Sequence, residues 1–274
     1  MKIEKYSNAL YKQNGVYVSS TNREISYPSH GNNKCYEIED QSFWFKHRNR
    51  VIGSLIKNFN TEDVFFDVGA GNGYISHYLQ NNSVDAIMLE PGLDGVINAK
   101  QRNIQNIIHS TFEDAKIKAN SLPNIGVFDV IEHIDKDLDF MQMMNTSLIP
   151  GGYVFVTVPA HKYLWSENDI RAGHYRRYTI KTMTTLLGKC NFKIEYISYF
   201  FSMLPLPILI NRTLPHLLGV KSKDHNKKSI KEHAEKDNLS SKIFKKLATN
   251  ELKKIQAKKS LYTGSSLCVV AKKL

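Results

Sequence analysis

Between residues 64 and 158, short apolar runs alternate with longer amphipathic stretches, and this alternation predicts βαβ units around a parallel sheet. The runs fall at 64–68, 84–89, 104–108, 125–130 and 153–158. Most are rich in β-branched or aromatic residues and bounded by Gly, Pro or Asn, as strands covered on both faces are. Over 136–148, Leu138, Met141, Met144 and Leu148 share one helical face, and Pro150-Gly151-Gly152 ends the pattern before the fifth strand. Thr179 is placed to cap a helix through Leu187, which Gly188 closes. Residues 192–199 and 266–271 read as a sixth and a seventh strand.

These elements divide the chain. Residues 61–200 and 261–274 form the expected α/β core, 1–60 a helical N-terminal extension, and 201–260 an apolar and lysine-rich insertion too long for an ordinary loop. With 274 residues, 42% of them hydrophobic, the chain can bury a full core, and 23% charged residues exclude a disordered or fibrous class. Three widely spaced cysteines, Cys35, Cys190 and Cys268, suit neither a disulfide framework nor a cysteine-rich zinc site, and point to a reducing cytoplasm. The first residues carry no apolar run behind their lysines, so they do not read as a signal peptide. No stretch reaches the ~18 apolar residues of a membrane span; residues 199–210 come nearest and are broken by Pro205 and Pro207.

Net charge is +11, which invites a nucleic-acid reading until the charge is placed. Residues 219–260 hold thirteen lysines, no arginine and five acids, a net of +8 that leaves about +3 for the rest. The body is nearly neutral and the excess belongs to the insertion.

Asp67-Val68-Gly69-Ala70-Gly71-Asn72-Gly73 follows the first predicted strand of the core and opens a helix. Glycines at alternate positions let the backbone turn tightly and approach a ligand, and a helix N-terminus offers free N–H groups. A dinucleotide fingerprint would place its last glycine at Tyr74, and no Lys-Ser/Thr pair follows, which excludes a phosphate-binding P-loop. The second strand ends in Glu90-Pro91, where a carboxylate is placed to accept from both hydroxyls of a ribose. Loop, acid and strand order point to a nucleoside-type cofactor; the plainer reading is a capping Asp67 with turn glycines and a surface Glu90.

With Phe128-Asp129-Val130-Ile131-Glu132-His133-Ile134, this set resembles the motifs of class I S-adenosylmethionine-dependent methyltransferases over some 150 residues. The resemblance implies a Rossmann-like, doubly wound, seven-stranded sheet, mostly parallel with an antiparallel last strand. It implies S-adenosyl-L-methionine as cofactor and S-adenosyl-L-homocysteine as product. The loop from Asp67 through Gly69, Ala70, Gly71 and Gly73 would hold the methionine part, Glu90 and Pro91 the ribose, and Asp129 and Val130 the far side of the cleft. Phe112 would stack on the adenine, with Glu113 or Asp114 accepting from its amine. Phe43-Trp44-Phe45-x-x-Arg48, Leu164-Trp165-Ser166 and Gly173-His174-Tyr175-Arg176-Arg177-Tyr178 further resemble a bacterial subgroup associated with polysaccharide and secondary-metabolite genes, which favours a small or sugar-like acceptor.

Methyl transfer to a hydroxyl needs alignment and removal of one proton, which suits a histidine. His174 and then His133 are the candidate bases; His133 also fits as a loop histidine donating to backbone. Tyr175, Arg176 and Arg177 either clamp an anionic acceptor or pin their own loop to nearby acids. Trp44 and Arg48, four apart on an N-terminal helix, meet as a lid over the cleft or anchor that helix to the core. Trp165 completes the expected acceptor side, and no metal is expected. The expected function is O-methylation of a small molecule or glycoconjugate; RNA or protein acceptors, and a non-catalytic partner with this fold, are the alternatives. In the insertion, apolar residues at helical spacing among lysines suit an anionic membrane face, an acceptor cap or a homodimer surface, and with one aromatic in its basic region 219–260, Phe244, no nucleic acid is expected. The expected place is the cytoplasm, including the inner face of the membrane.

Overall fold

The alternating runs become the strands of one sheet. A computed structural model describes residues 3–21, 31–59, 63–220 and 239–274. The strands are β1 (Leu10–Gln13), β2 (Val16–Ser19), β3 (Phe65–Val68), β4 (Ala86–Glu90), β5 (Ile107–His109), β6 (Leu122–Phe128), β7 (Leu148–Pro159), β8 (Phe192–Phe200) and β9 (Ser266–Lys273). Their order is β1-β2-β5-β4-β3-β6-β7-β9-β8. Pairing is parallel from β2 across to β7. It is antiparallel for β1 with β2 and for β9 with both β7 and β8.

All seven expected strands are present, with the antiparallel last one between β7 and β8. The sheet nevertheless has nine strands rather than seven, because residues 10–19 are a hairpin and not part of a helical extension. Asn14 (φ 49°) and Gly15 (φ 81°) make its two-residue turn, a conformation that Asn-Gly adopts readily. β2 then pairs with the edge of β5. Helices follow only from α1 (Gly31–Glu39) and α2 (Phe43–Phe59).

Strand side chains alternate between two layers. Phe66, Val68, Ile87 and Leu89 pack with Met141 and Met144 of the helix Asp137–Ser147, while Phe65 and Phe155 pack with Val51, Ile52 and Leu55 of α2. Each such side chain contributes roughly 1.5–3 kcal/mol of burial. Thr179 caps the helix Ile180–Lys189 as expected, but the helix runs through Gly188 to a C-cap at Cys190 instead of closing at Gly188.

Between β8 and β9 the described part of the insertion is helical. Pro205–Ile208, Leu209–Thr213 and Leu214–Leu217 run on from one another, and Leu239–Gln256 forms a separate helix. The latter docks on α2 through a buried pair, His47 Nε2 to Glu251 Oε1 at 2.8 Å. Glu251 also accepts from the backbone N–H groups of Phe201 and Ser202, each at 2.8 Å. Among the described residues no helix is long and apolar enough to cross a membrane.

Candidate active site

The carboxyl ends of β3, β4 and β6 meet at one edge of the sheet, where a doubly wound fold places its ligand crevice. Gly69 (φ 69°), Gly71 (φ 56°) and Gly73 (φ 70°) all lie in the left-handed region, so the loop after β3 has a shape that L side chains rarely adopt. A Cβ on Gly69 would come within 2.6 Å of Val130, which ties the loop closely to the turn after β6. A Cβ on Gly71 would meet only Asn32 Oδ1, at an ordinary contact distance of 3.6 Å. The helix Tyr74–Asn81 begins at Gly73, which has no side chain to cap it, and the Asp67 carboxylate takes the backbone N–H of Ser76.

Asp67 is buried and its carboxylate accepts from Ser76 Oγ at 2.7 Å, so it holds the loop to that helix; burial pushes its pKa up to about 6. Glu90 closes the crevice from β4. Its Oε2 accepts from Gly71 N and its Oε1 from Gly92 N, each at 2.7 Å. Burial pushes Glu90 up to about 7 against these stabilising amides. The Asn32 side chain also donates to this carboxylate, which keeps acceptor capacity for one more hydroxyl donor. The carbonyl of the neighbouring Pro91 meets His109 Nε2 at 3.1 Å.

Asn32 of α1 sits over this loop and escaped the sequence reading. Asn72 Nδ2 donates to Asn32 O at 2.8 Å and to Glu39 Oε1 at 3.1 Å, and Arg102 holds Glu39 at 3.0 Å. Phe112 is placed in the main core, edge-on to Phe140. Glu113 is exposed, and Asp114 is bound locally to Thr111.

The other wall of the crevice begins at Asp129 (φ 57°), which Arg48 of α2 grips through Nε while its Nη2 reaches Phe128 O at 2.9 Å. Trp44 stacks on Phe201 at 5.3 Å, the anchoring one of its two expected roles, and Arg48 lies 5.8 Å over its ring. Glu132 is buried with Oε2 lacking a partner among the described residues, and burial together with Asp129 drives its pKa well above the carboxylate range.

His133 and His174 are brought together, their rings edge to face at 4.7 Å. Burial, then His174, lowers His133 to about 4. His174 Nδ1 meets Asp169 Oδ1 at 3.0 Å. Asp169 is gripped twice by Arg177, Nε to Oδ1 at 2.7 Å and Nη2 to Oδ2 at 3.0 Å, and Ser166 donates to it from both N and Oγ. Burial opposes the charge on Asp169, but these donors outweigh it and hold the pKa at about 2.

Arg176 and Arg177, expected either to clamp an acceptor or to pin their loop, both bond nearby acids and carbonyls. Arg176 binds the carbonyls of Ile134 and Asp135 and the carboxylate of Asp137. Arg177 also caps Ala160 O. Tyr175 is half exposed with its N–H on Glu132 O at 2.7 Å, and Trp165 is half-buried at the start of the same loop. The carboxylate of Glu132 and the rings of His133 and His174 bring three ligand-type atoms within 4.8 Å of one another.

A methyltransferase-domain family model matches residues 36–197, well over half of the chain. The chain belongs to that family. Among relatives of this methyltransferase-domain protein, one named as a probable S-adenosylmethionine-dependent methyltransferase in Mycolicibacterium smegmatis is 23% identical over 162 residues, covering 58% of this chain and 62% of that one. A ubiquinone biosynthesis O-methyltransferase of Colwellia psychrerythraea is 25% identical over 112 residues, 39% of this chain and 46% of that one. The match thus spans about three-fifths of the first relative and under half of the second.

Among solved structures, an S-adenosylmethionine-dependent methyltransferase from Archaeoglobus fulgidus aligns over 82% of this chain and 94% of its own, with TM-score 0.53 and 15% identity. A phosphoethanolamine N-methyltransferase from Haemonchus contortus, in complex with S-adenosyl-L-methionine, aligns over 90% of this chain and 58% of its own, with TM-score 0.56 and 16% identity. The left-handed glycine loop and the acceptor capacity left on Glu90 fit that cofactor's amino-acid and ribose parts.

Proposed function

We propose that this chain transfers a methyl group from S-adenosyl-L-methionine to an oxygen of a small-molecule or glycoconjugate acceptor in the cytoplasm. The observation that carries the oxygen assignment is the Asp169–His174 pair, a fixed histidine at the acceptor side of the crevice. S-adenosylmethionine, when bound, supplies a methyl already activated on its sulfonium.

Glu90 would accept from a ribose hydroxyl, and the glycine loop would lie against the amino-acid end. Asp129, held by Arg48, lines the wall opposite the loop. Asp169 keeps the proton of His174 on Nδ1, which leaves Nε2 as the basic atom. His174 Nε2 would take the proton of an acceptor hydroxyl, so that the oxygen could accept the methyl group the bound cofactor would supply. Burial keeps His133 uncharged beside it, so the second imidazole does not compete for the proton.

Calorimetric titration with S-adenosylmethionine is expected to give heat for the wild type and none for Glu90→Ala or Gly71→Val. Absence of wild-type heat, or heat unchanged by both substitutions, removes the cofactor assignment. Labelled cofactor incubated with a fractionated lysate and polysaccharide precursors, followed by mass identification, names the acceptor. Methyl on nitrogen or carbon in that product overturns the oxygen assignment.

A further inference from the structure

Half of the large apolar side chains that stand exposed among the described residues lie in one insertion, between 206 and 247. Leu206, Ile210, Leu214 and Leu217 recur at helical spacing along the run Pro205–Leu217 and are 43–72% exposed, so the stripe faces solvent and not the core. Helix Leu239–Gln256 adds Ile243 and Leu247, one turn apart and about half exposed. Glu251 ties this second helix to the backbone of Phe201 and Ser202, the root of the first.

His216 on the stripe faces Glu167 at 3.7 Å, while around Ile243 and Leu247 the exposed charge of their own helix has one sign. Residues 239–259 carry seven lysines, and their single acid, Glu251, is buried against His47. The exposed charge of that helix is wholly positive. Lysine heads extend into water or toward phosphate while their stems lie along apolar surface. A second copy of the chain would bring like charges together, and lysine is depleted from protein interfaces.

We propose that this face, the stripe of Pro205–Leu217 with the lysine-flanked apolar pair of Leu239–Gln256, seats on an anionic lipid surface. It lies beside the acceptor side of the crevice, because Leu209–Thr213 packs against Lys162–Leu164 and Glu167–Ala172, the helix that carries Asp169. The proposal does not depend on methyl transfer.

Co-sedimentation of the full chain with vesicles tests it. Binding to phosphatidylcholine vesicles containing phosphatidylglycerol is expected to be at least tenfold tighter than to phosphatidylcholine alone, and to weaken with salt. Leu214→Ser with Leu217→Ser, and separately Lys246→Glu with Lys254→Glu, are each expected to cut that binding at least tenfold. Thermal melting and cofactor heat, read on the same samples, are expected to stay at wild-type values, since the four positions are exposed. No sedimentation with anionic vesicles overturns the proposal, as does binding that neither double variant reduces. So does a dimer in analytical ultracentrifugation that the leucine variant dissociates, which assigns the face to a second copy.

Discussion

Glu90 is a buried acid whose two oxygens each hold a backbone amide, and its pKa near 7 puts its titration where the protein works. Hydroxyl donors favour the ionised form. Cofactor affinity is therefore expected to fall about tenfold between pH 8 and pH 6, and to be weak but nearly flat for Glu90→Gln, measured by calorimetry at each pH. Stability carries the opposite sign. Between the ordinary carboxyl value and about 7, the folded chain holds a proton that the unfolded chain has released, so this group's contribution declines as pH rises through that window. Glu90→Gln is expected to remove the decline, on the order of 1–3 kcal/mol by urea titration. Asp169 is the second informative acid. Asp169→Asn leaves His174 without its carboxylate partner, and transfer is expected to drop by roughly 10²–10⁴ with cofactor affinity unchanged. Its cofactor affinity separates that effect from unfolding.

At the scale of elements, the junction of α2 with Leu239–Gln256 rests on one carboxylate. Burial opposes the charge of Glu251, but His47 and the amide of Ser202 outweigh it and hold its pKa below the ordinary value. Glu251→Ala strands a buried imidazole and two buried N–H groups, and is expected to cost about 3–5 kcal/mol, read from the denaturant midpoint. The substitution is also expected to flatten the loss of stability on acidification below the ordinary carboxyl value, because a depressed carboxylate stabilises only while ionised. Strands β3, β6, β7 and β9 were legible in the chain because their residues are buried on both faces and read as unbroken apolar runs. The β1–β2 hairpin was legible too, in Asn14-Gly15 between alternating residues, but it lies in a polar segment beside lysines where the apolar signal is weak. Gly69, Gly71, Gly73 and Glu90 follow one another in a local order that the sequence displays. Asn32 over the loop, Arg48 on Asp129 and His47 with Glu251 join residues far apart in the chain, and no local pattern announces them. Arg176 and Arg177 show the same limit: their residue types allow a clamp or a pin, and only the positions of Asp137 and Asp169 decide.

The whole molecule separates its tasks by place. The cofactor crevice lies over the middle of the sheet, the exposed apolar and basic surface lies on the insertion, and the hairpin closes the far edge at β5. Ile3, Tyr6, Leu10 and Val16 are buried there. Removal of residues 1–20 is expected to cost several kcal/mol, at roughly 1.5–3 per large side chain, and to leave β5 as a bare edge that promotes association. A lower urea midpoint together with concentration-dependent light scattering checks both effects. The position of β9 bears on how the protein is made. That strand runs between β7 and β8, and its residues follow β8 only after the whole insertion. While the ribosome is still adding residues 201–265, β7 has an open edge and β8 has no neighbour in the sheet. The half that includes β3 to β6 has its partners early, yet closure waits for residue 273 to leave the exit tunnel. The insertion is thus translated during the interval when the sheet is most open to wrong pairing.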